Sequence, residues 1–280
     1  MIEHIKKLDD LFVFPGDSKP LKEHIRSLEE ANRTLKSIPA YLRNETTRLR
    51  LYKENLNEQR HAALYRKRDD ASDTLVTYWL SKVRTISSLY GVINNIPKFK
   101  GISEDDIIRI LYLSNDTNNL SLIEPTLNKF GIIFIIEKSC PGLKTDGTVF
   151  INENGHAVIA LSLRYKRLDN FWFTLIHELA HLNLHAEQLV EPIIEDLDAS
   201  CTSLIERQAN KLASEIIIPR NIWRNCPCQY DHSEEVLMAF AREMGIHPAI
   251  IAGRLRKSLE NYRLYNKIIN DFDVREYFKS

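Results

Sequence analysis

The chain has 280 residues, 44% hydrophobic and 27% charged, so it is long enough to bury a core and to form two structural units. Lys and Arg together number 38, as do Asp and Glu, so net charge does not indicate a nucleic-acid or membrane partner. No signal-peptide core is visible, the apolar runs are too short to cross a bilayer, and four cysteines do not make a disulfide scaffold. We therefore expect a cytoplasmic protein with no membrane partner.

The first third of the chain is predicted to be helical. Leucines recur every seven residues and so share one stripe of a helix: Leu21, Leu28, Leu35, Leu42, Leu49 and Leu56. Pro39 removes a backbone donor and interrupts the pattern, which predicts two helices, roughly 20–38 and 40–67. The leucine stripe packs against the rest of the chain or forms a dimerising arm, so both a monomer and a homodimer remain open.

Basic residues crowd the stretch from Arg43 to Arg68. One interpretation is a solvated helix face. The other is a surface that follows a phosphate backbone, with Arg66, Lys67 and Arg68 as contact residues and single-stranded DNA as an activating ligand.

The next part of the chain changes from helical to mixed patterns. Helices are predicted near 71–90, from a capped start at Ser103, and near 119–130. Short runs at 132–136, 148–152 and 156–163 predict strands, the last two joined by a tight turn at Asn154-Gly155. We also expect the strand from His156 to Leu163 to present an edge on which an extended substrate could pair.

Helical character returns after Asp169, again over about 200–217, from Ser233 to Gly245, and from His247 onward. The expected fold class is α+β, mostly helical, with a small antiparallel β-sheet packed on the helix after Asp169. We divide the chain into a helical N-terminal region, residues 1–118, and a second domain, residues 119–280.

His177-Glu178-Leu179-Ala180-His181 is an HExxH motif in an apolar helical stretch. Residues four apart lie on one face of a helix, so both imidazoles can bind one Zn²⁺ at about 2.0–2.1 Å each. Glu178 is then positioned to take a proton from the water that completes such a site. The motif predicts a Zn²⁺ cofactor, His177 and His181 as ligands, and Glu178 as the catalytic base.

A catalytic zinc site normally has three protein ligands, and Glu206 is the best candidate for the third. It lies in a helical stretch where small residues favour close packing against the HExxH helix. Asn210 shares its face and is a candidate to hold the free ring nitrogen of His177. His185 is too far along the axis for the same metal and is expected to bond at the helix end. Loop acids are the alternative third ligands: Glu195, Asp196 and Asp198.

The cysteines allow two further hypotheses. Cys140 lies between the first two predicted strands, and its thiolate is a possible inhibitory metal ligand; the alternative is an ordinary reduced cysteine in a turn. Cys226 and Cys228, with His232 nearby, match no common zinc-finger spacing, so we expect them to be surface thiols. Cys201 is expected in the core.

The run from Gly147 through Val158-Ile159-Ala160-Leu161-Ser162-Leu163 and Phe171-Trp172-Phe173-Thr174 to the HExxH motif resembles the ImmA/IrrE zinc metallopeptidases. So does Glu206-x-x-Ala209-Asn210 with Ile216-Ile217-Ile218-Pro219. The resemblance covers roughly 60–265 and is nearest to the branch fused to or paired with helix-turn-helix repressors. It implies a zincin-like fold, His177, His181 and Glu206 as ligands, and Glu178 as base.

The same resemblance implies a narrow function: one cleavage in a partner helix-turn-helix repressor, which releases stress or phage-defence genes. Gln208 departs from the family pattern, where Glu is frequent. Residues 1–68 contain no convincing helix-turn-helix, which favours a peptidase acting on a separate repressor. Two other functions remain open: a metal-bound sensor that regulates a partner by binding alone, and a helical nucleic-acid-binding scaffold with a vestigial zinc site.

Overall fold

The computed structural model describes residues 21–58, 71–189, 193–195 and 203–279. The chain divides into two compact units, Met1–Asp69 and Asp70–Ser280. The sequence-based boundary between residues 118 and 119 falls inside the second of these units and stays a prediction about functional organisation. The expected core position of Cys201 lies outside the described residues.

In the first unit two helices pack against each other, α1 (Leu21–Ser37) and α2 (Glu45–Glu58), with a short 3-10 turn (Ala40–Leu42) between them. The break at Pro39 is where the sequence predicts it. The Arg43 guanidinium closes the end of α1 by donating to the Ile38 carbonyl at 2.9 Å and the Lys36 carbonyl at 2.8 Å. Asn55 on α2 donates to the Ser27 carbonyl on α1 at 3.2 Å, which ties the two helices together.

The second unit begins with α3 (Ala71–Ile93), α4 (Glu104–Leu111) and α5 (Ile123–Lys129). Ser103 starts α4 as predicted, because its side chain and Asp106 each bond the other's backbone in a capping box. Trp79 on α3 donates from its indole nitrogen to the Glu137 carbonyl at 2.7 Å, just beyond the first strand. Helix α3 is thereby fixed to the sheet.

The sheet has four strands, β1 (Ile132–Ile136), β2 (Gly147–Ile151), β3 (Ala157–Leu161) and β4 (Ile193–Glu195), in the order β1-β3-β2-β4. Strands β2 and β3 form the predicted antiparallel hairpin, and β4 is antiparallel to β2. Strand β1 runs parallel to β3, so the sheet is mixed and the prediction of a purely antiparallel sheet is wrong. The loop after β1 crosses the end of β3 to reach β2, and side-chain alternation does not record which strands become neighbours.

The interior position of β3 has a second consequence. All five of its residues are buried, and β1 and β2 occupy its two hydrogen-bonding edges. The prediction that the strand from His156 to Leu163 offers an edge to a substrate is therefore wrong. A short, wholly apolar strand reads the same whether it lies inside a sheet or at its border.

Helix α6 (Leu168–His185) packs on β2 and β3 and forms the centre of the core, with 14 of its residues buried. Helix α7 (Leu204–Ile217) lies against it, and α10 (Pro248–Ser258) contacts its other side. The remaining helices are α8 (Arg220–Arg224), α9 (Glu234–Met244), α11 (Asn266–Asn270) and α12 (Val274–Tyr277). Gly245 ends α9 in the left-handed conformation, with φ of 67°, as the sequence predicts.

Arg254 on α10 fixes the far end of α7. Its guanidinium donates to the Ser214 carbonyl at 2.9 Å and the Ile218 carbonyl at 2.7 Å, and lies 4.3 Å from the centre of the Trp223 ring. These carbonyls belong to the last turn and end of α7, where the Ser214 carbonyl also accepts from the Ile218 backbone N–H at 3.2 Å. One arginine thus sets the position of the helix that carries Glu206.

Cys226 and Cys228 are both fully buried, so the prediction of surface thiols is wrong. They enclose Pro227 in a short 3-10 turn, Pro227–Gln229, that joins the core. Among the described residues no single helix is long and apolar enough to span a membrane; only α9 and α10 taken together, bent by 116°, meet that test by length and composition.

Candidate metal centre

Helix α6 brings the two histidines of the HExxH motif face to face. Their Nε2 atoms are 3.0 Å apart, and the ring centres are 4.6 Å apart with the planes at 75°. Neither side chain has any exposed surface. The four-residue spacing on one helix produces this arrangement directly, since positions 177 and 181 lie one turn apart on the face that meets α7.

Glu206 approaches the same point from α7. Its Oε2 atom is 3.2 Å from Nε2 of His177, and its Oε1 atom is 3.4 Å from Nε2 of His181. The Ser203 side chain accepts from the Glu206 backbone at 3.2 Å and so begins α7 one turn before the carboxylate. Ala209 and Ala213 are fully buried, and their small side chains let the two helices approach closely. His177, His181 and Glu206 form the group of potential metal ligands among the described residues.

The three donor atoms fit a zinc ion in both chemistry and spacing. Two ligand atoms about 2.0–2.1 Å from zinc, separated by the tetrahedral angle, lie about 3.3–3.4 Å apart. The observed separations of 3.0, 3.2 and 3.4 Å are close to that edge length. Two imidazoles and one carboxylate are also the donor set of several catalytic zinc sites. The residues present can therefore hold a divalent metal.

The electrostatics of the group suit a cation. Burial raises the pKa of Glu206, but hydrogen bonds and charge from His177 and His181 outweigh it and lower that pKa to about 2. Burial lowers the pKa of His181, an effect only partly offset by its hydrogen bond to Glu206. At neutral pH the group thus contains an ionised carboxylate and a neutral imidazole at position 181, which are the protonation states that metal ligands need.

Glu178 lies on the next position of α6 and is fully buried. Its carboxylate meets β2 at Gly147, where an added Cβ would overlap Oε1 of Glu178 and lie 2.8 Å from the Thr174 methyl group. Only a residue without a side chain leaves this space, so Gly147 defines where the Glu178 carboxylate can lie.

Sequence reasoning assigned His185 too small a part. Its Nδ1 atom is 3.2 Å from Nδ1 of His181, and its Nε2 atom is 3.1 Å from Oε1 of Gln208 on α7. His185 therefore contacts a member of the metal group rather than only ending the helix. The repeated four-residue interval through positions 177, 181 and 185 was the signal for this contact.

The other candidate residues are placed as follows. Asn210 lies one turn after Glu206 and is half-buried; its bond to His177 stays a prediction. The side chain of Glu195, and all of Asp196 and Asp198, lie outside the described residues. So do Arg66, Lys67 and Arg68, the predicted nucleic-acid contacts.

Cys140 is not a member of the metal group that the described residues form. Burial raises the pKa of its thiol, and the charges of Lys82 and Glu137 act on it from nearby. A thiol with a raised pKa is a poor thiolate ligand in this arrangement. Its role as an inhibitory ligand stays a prediction.

The fold and this group of side chains define an α+β, zincin-like protein with a site for a divalent metal. Residues 130–256 match the family model Peptidase_M78, described as the IrrE N-terminal-like domain. This part of the chain is therefore similar to the ImmA/IrrE family, in agreement with the resemblance seen in the sequence, and that similarity suggests a metallopeptidase. The matched segment contains His177, Glu178, His181 and Glu206. No curated protein matches the chain.

Proposed function

We propose that the protein is a zinc-dependent endopeptidase in which His177, His181 and Glu206 hold the metal and Glu178 is the catalytic base. The observation that carries the proposal is the set of donor separations, 3.0, 3.2 and 3.4 Å, which fits a zinc tetrahedron. Three protein ligands leave the fourth position for water, as in catalytic rather than structural zinc sites. The family match supports the peptidase class.

The steps that this chain's residues perform follow from their positions. When bound, zinc polarises the scissile carbonyl and lowers the pKa of a water molecule toward neutrality. Glu178 takes the proton from the attacking water and returns it to the leaving amide nitrogen. Gly147 and Thr174 confine the carboxylate, so both transfers begin from one position. Asn210 is assigned the role of orienting His177.

The substrate proposed is a separate helix-turn-helix repressor in the cytoplasm, cut once so that stress or phage-defence genes are released. The support is the sequence resemblance to the branch of the family that acts with such repressors, together with the lack of a convincing helix-turn-helix in residues 1–68. Single-stranded DNA bound to the basic stretch with Arg66, Lys67 and Arg68 would give the peptidase a trigger, and the support is the local excess of positive charge.

A second function, a metal-bound module that regulates a partner without cutting it, is favoured by one observation. His177, Glu178 and His181 are all fully buried, and of the metal group only Glu206 has exposed surface, at 22% of its side chain. A site this enclosed can sense a metal without admitting a peptide.

The variant Glu178→Gln separates these functions. The full chain is incubated with a helix-turn-helix repressor as the candidate substrate, and zinc content and repressor fragments are measured. We expect wild type to give a single cut, and Glu178→Gln to keep its zinc but lose cleavage by about 100-fold or more. Glu187→Gln, an exposed acid just after α6, is the matched control and should cleave as wild type does.

Three results would decide against the peptidase. Equal cleavage by Glu178→Gln and wild type would remove Glu178 as the base. If the protein inactivates the repressor without cutting it, and Glu178→Gln does the same, the function is that of the metal-bound binding module. If the protein binds no stoichiometric zinc and its function survives His177→Ala, the remaining candidate is the helical nucleic-acid-binding scaffold.

The nucleic-acid trigger has its own test. Single-stranded DNA should bind more weakly as salt rises, and neutralising Arg66, Lys67 and Arg68 together should abolish binding. Neutralising Lys98, Lys100 and Lys129, which are exposed lysines outside the basic stretch, is the matched control. Equal losses from both sets would indicate nonspecific charge.

A further inference from the structure

A series of three side chains begins in the metal group, with His181, and ends at the protein surface. His181 contacts His185 through their Nδ1 atoms at 3.2 Å, and Nε2 of His185 contacts Oε1 of Gln208 at 3.1 Å. We propose that His185 and Gln208 are positioning residues that hold the ring proton of His181 on Nδ1 and thereby set the metal affinity of the site. We call His181, His185 and Gln208 the relay. The proposal rests on the proposed metal site.

The first step concerns His181. Its Nε2 atom faces His177 and Glu206, so this is the atom that meets a metal. A neutral imidazole carries one proton, and a ligand nitrogen must be free of it. The proton of His181 must therefore lie on Nδ1 before a metal can bind.

The second step concerns His185. A proton on Nδ1 of His181 needs an acceptor, and the atom facing it is Nδ1 of His185. For that atom to accept, His185 must carry its own proton on Nε2 and donate it to Oε1 of Gln208. Every donor in this direction meets an acceptor, and because Oε1 of Gln208 faces His185, the relay holds His181 in the form that can bind a metal.

The third step concerns the reverse direction. If the Gln208 amide turned, its NH₂ group would donate to Nε2 of His185, and His185 would then donate to His181. His181 would carry its proton on Nε2, in the place of the metal. The orientation of one amide on α7 thus decides which of two states the site adopts.

Burial explains why the relay residues can change the metal affinity of the site. His181 is fully buried and His185 is 5% exposed, so water does not readily replace either partner. Gln208 is exposed, so its substitution need not disturb the core. Outer partners of metal-binding histidines change metal affinity by about 10- to 100-fold when they are mutated.

The first experiment changes Gln208 and measures Zn²⁺ affinity by chelator competition, with folding checked by circular dichroism. Gln208→Met removes the acceptor without changing charge, and we expect about tenfold weaker binding. Gln208→Glu places a carboxylate at this position, which accepts a hydrogen bond but cannot donate one. We expect its Zn²⁺ affinity to be at or above that of wild type. Lys211→Gln, exposed on the same helix, makes the same change of net charge as Gln208→Glu and is its matched control.

The second experiment changes His185. His185→Phe removes the acceptor and should weaken zinc binding by about 10- to 100-fold, whereas His185→Gln can accept and donate in turn and should recover most of it. His156→Phe is the control for loss of a buried histidine, because His156 is 5% exposed and bonds the Ile96 carbonyl at 2.9 Å, away from the metal group.

Long-range ¹⁵N–¹H spectra give a readout that a merely structural role would not move. In the metal-free wild type we expect His181 protonated on Nδ1 and His185 on Nε2. In Gln208→Met we expect a mixture of both forms for each ring. The opposite assignment in wild type would overturn the relay.

Failure of the relay and failure of the proposed function are distinguishable. Unchanged zinc affinity in Gln208→Met and His185→Phe, in a protein that binds zinc and cuts, would overturn the relay alone. Gln208→Glu binding as weakly as Gln208→Met would also overturn it. A wild type that binds no zinc would remove the proposed function itself.

Discussion

The two ends of α6 both bury polar side chains, but they do so in opposite ways. At the start of the helix Arg167 donates to both carboxylate oxygens of Asp169, at 2.9 and 2.6 Å. The charges of Arg167 and Asp169 also act on the buried Arg256 guanidinium. Later in the helix His177 and His181 turn Nε2 toward the same point as a carboxylate. The first group pairs a carboxylate with guanidinium groups of opposite charge, whereas the second gathers electron-pair donors that a cation would complete. The group at the start of α6 stabilises the fold, and the metal group is suited to bind an ion.

The pKa directions agree with this difference. The hydrogen bonds that Arg167 donates to Asp169 raise the pKa of Arg167, so its guanidinium keeps its charge beside the carboxylate. In the metal group the pKa of His181 falls and that of Glu206 falls to about 2, which leaves negative charge without an added proton. A buried polar group is therefore informative about function when its members are electron-pair donors with no cation among them.

The largest expected effect comes from removing the carboxylate of the metal group. Glu206→Gln should weaken metal binding by more than the roughly 10- to 100-fold typical of outer partners, because a ligand itself is lost. Bound zinc per chain, measured by elemental analysis, checks this. Glu215→Gln on the same helix is the matched control. Full zinc occupancy with high affinity in Glu206→Gln would mean that another acid is the third ligand.

An alanine substitution at each of two glycines tests the two ends of α6 separately. An added Cβ at Gly147 would overlap the Glu178 carboxylate, and one at Gly253 would overlap the carboxylate of Asp169. Gly147→Ala should reduce cleavage by about 100-fold while zinc stays bound, since a displaced base loses its geometry. Gly253→Ala should instead destabilise the fold by about 1–3 kcal/mol and leave the activity of the folded protein unchanged. Cleavage rates and urea unfolding measure the two effects, and an exchange of these outcomes would contradict the comparison.

Breaking the charge pair at the start of α6 should affect stability alone. Asp169→Asn leaves the buried Arg256 and Arg167 without their carboxylate, and we expect a loss of about 2–3 kcal/mol. The value is at the low end for buried pairs because the Arg167 side chain is 30% exposed and partly screened by solvent. Urea unfolding gives the free energy, and zinc content should stay at the wild-type level. A loss of zinc in the folded variant would show that the two ends are coupled.

The smallest effect is expected at Arg254, which fixes the end of α7. Arg254→Ala removes two hydrogen bonds to carbonyls and the contact with Trp223, at a cost of about 2 kcal/mol. Arg254→Lys should retain part of this, because a lysine supplies charge without the planar guanidinium. Thermal unfolding checks the order wild type, Lys, Ala. Equal stability of Arg254→Ala and wild type would show that these contacts do not fix α7.

Much of the metal group could be read from the sequence because it depends on local periodicity. The four-residue interval sets His177 and His181 on one face, and the small residues at 209 and 213 indicate which helix packs there. The start of α4 at Ser103 and the end of α9 at Gly245 follow from cap chemistry in the same way.

The features that sequence reasoning missed depend on contacts between distant segments. The parallel pairing of β1 with β3, and the loss of a free edge on β3, are matters of strand order that no local pattern records. Cys226 and Cys228 were expected at the surface because their spacing matches no common zinc finger, yet the fold encloses both. The contact of His185 with Gln208 on α7, a residue 23 positions away, was likewise not predicted.

The coordination of the bound metal is the most direct test of the central claim. Zinc K-edge X-ray absorption of the purified full chain should show one zinc per chain with nitrogen and oxygen ligands at about 2.0–2.2 Å and the scattering of two imidazoles. Absence of stoichiometric zinc, or a spectrum without two imidazole ligands, would contradict the account.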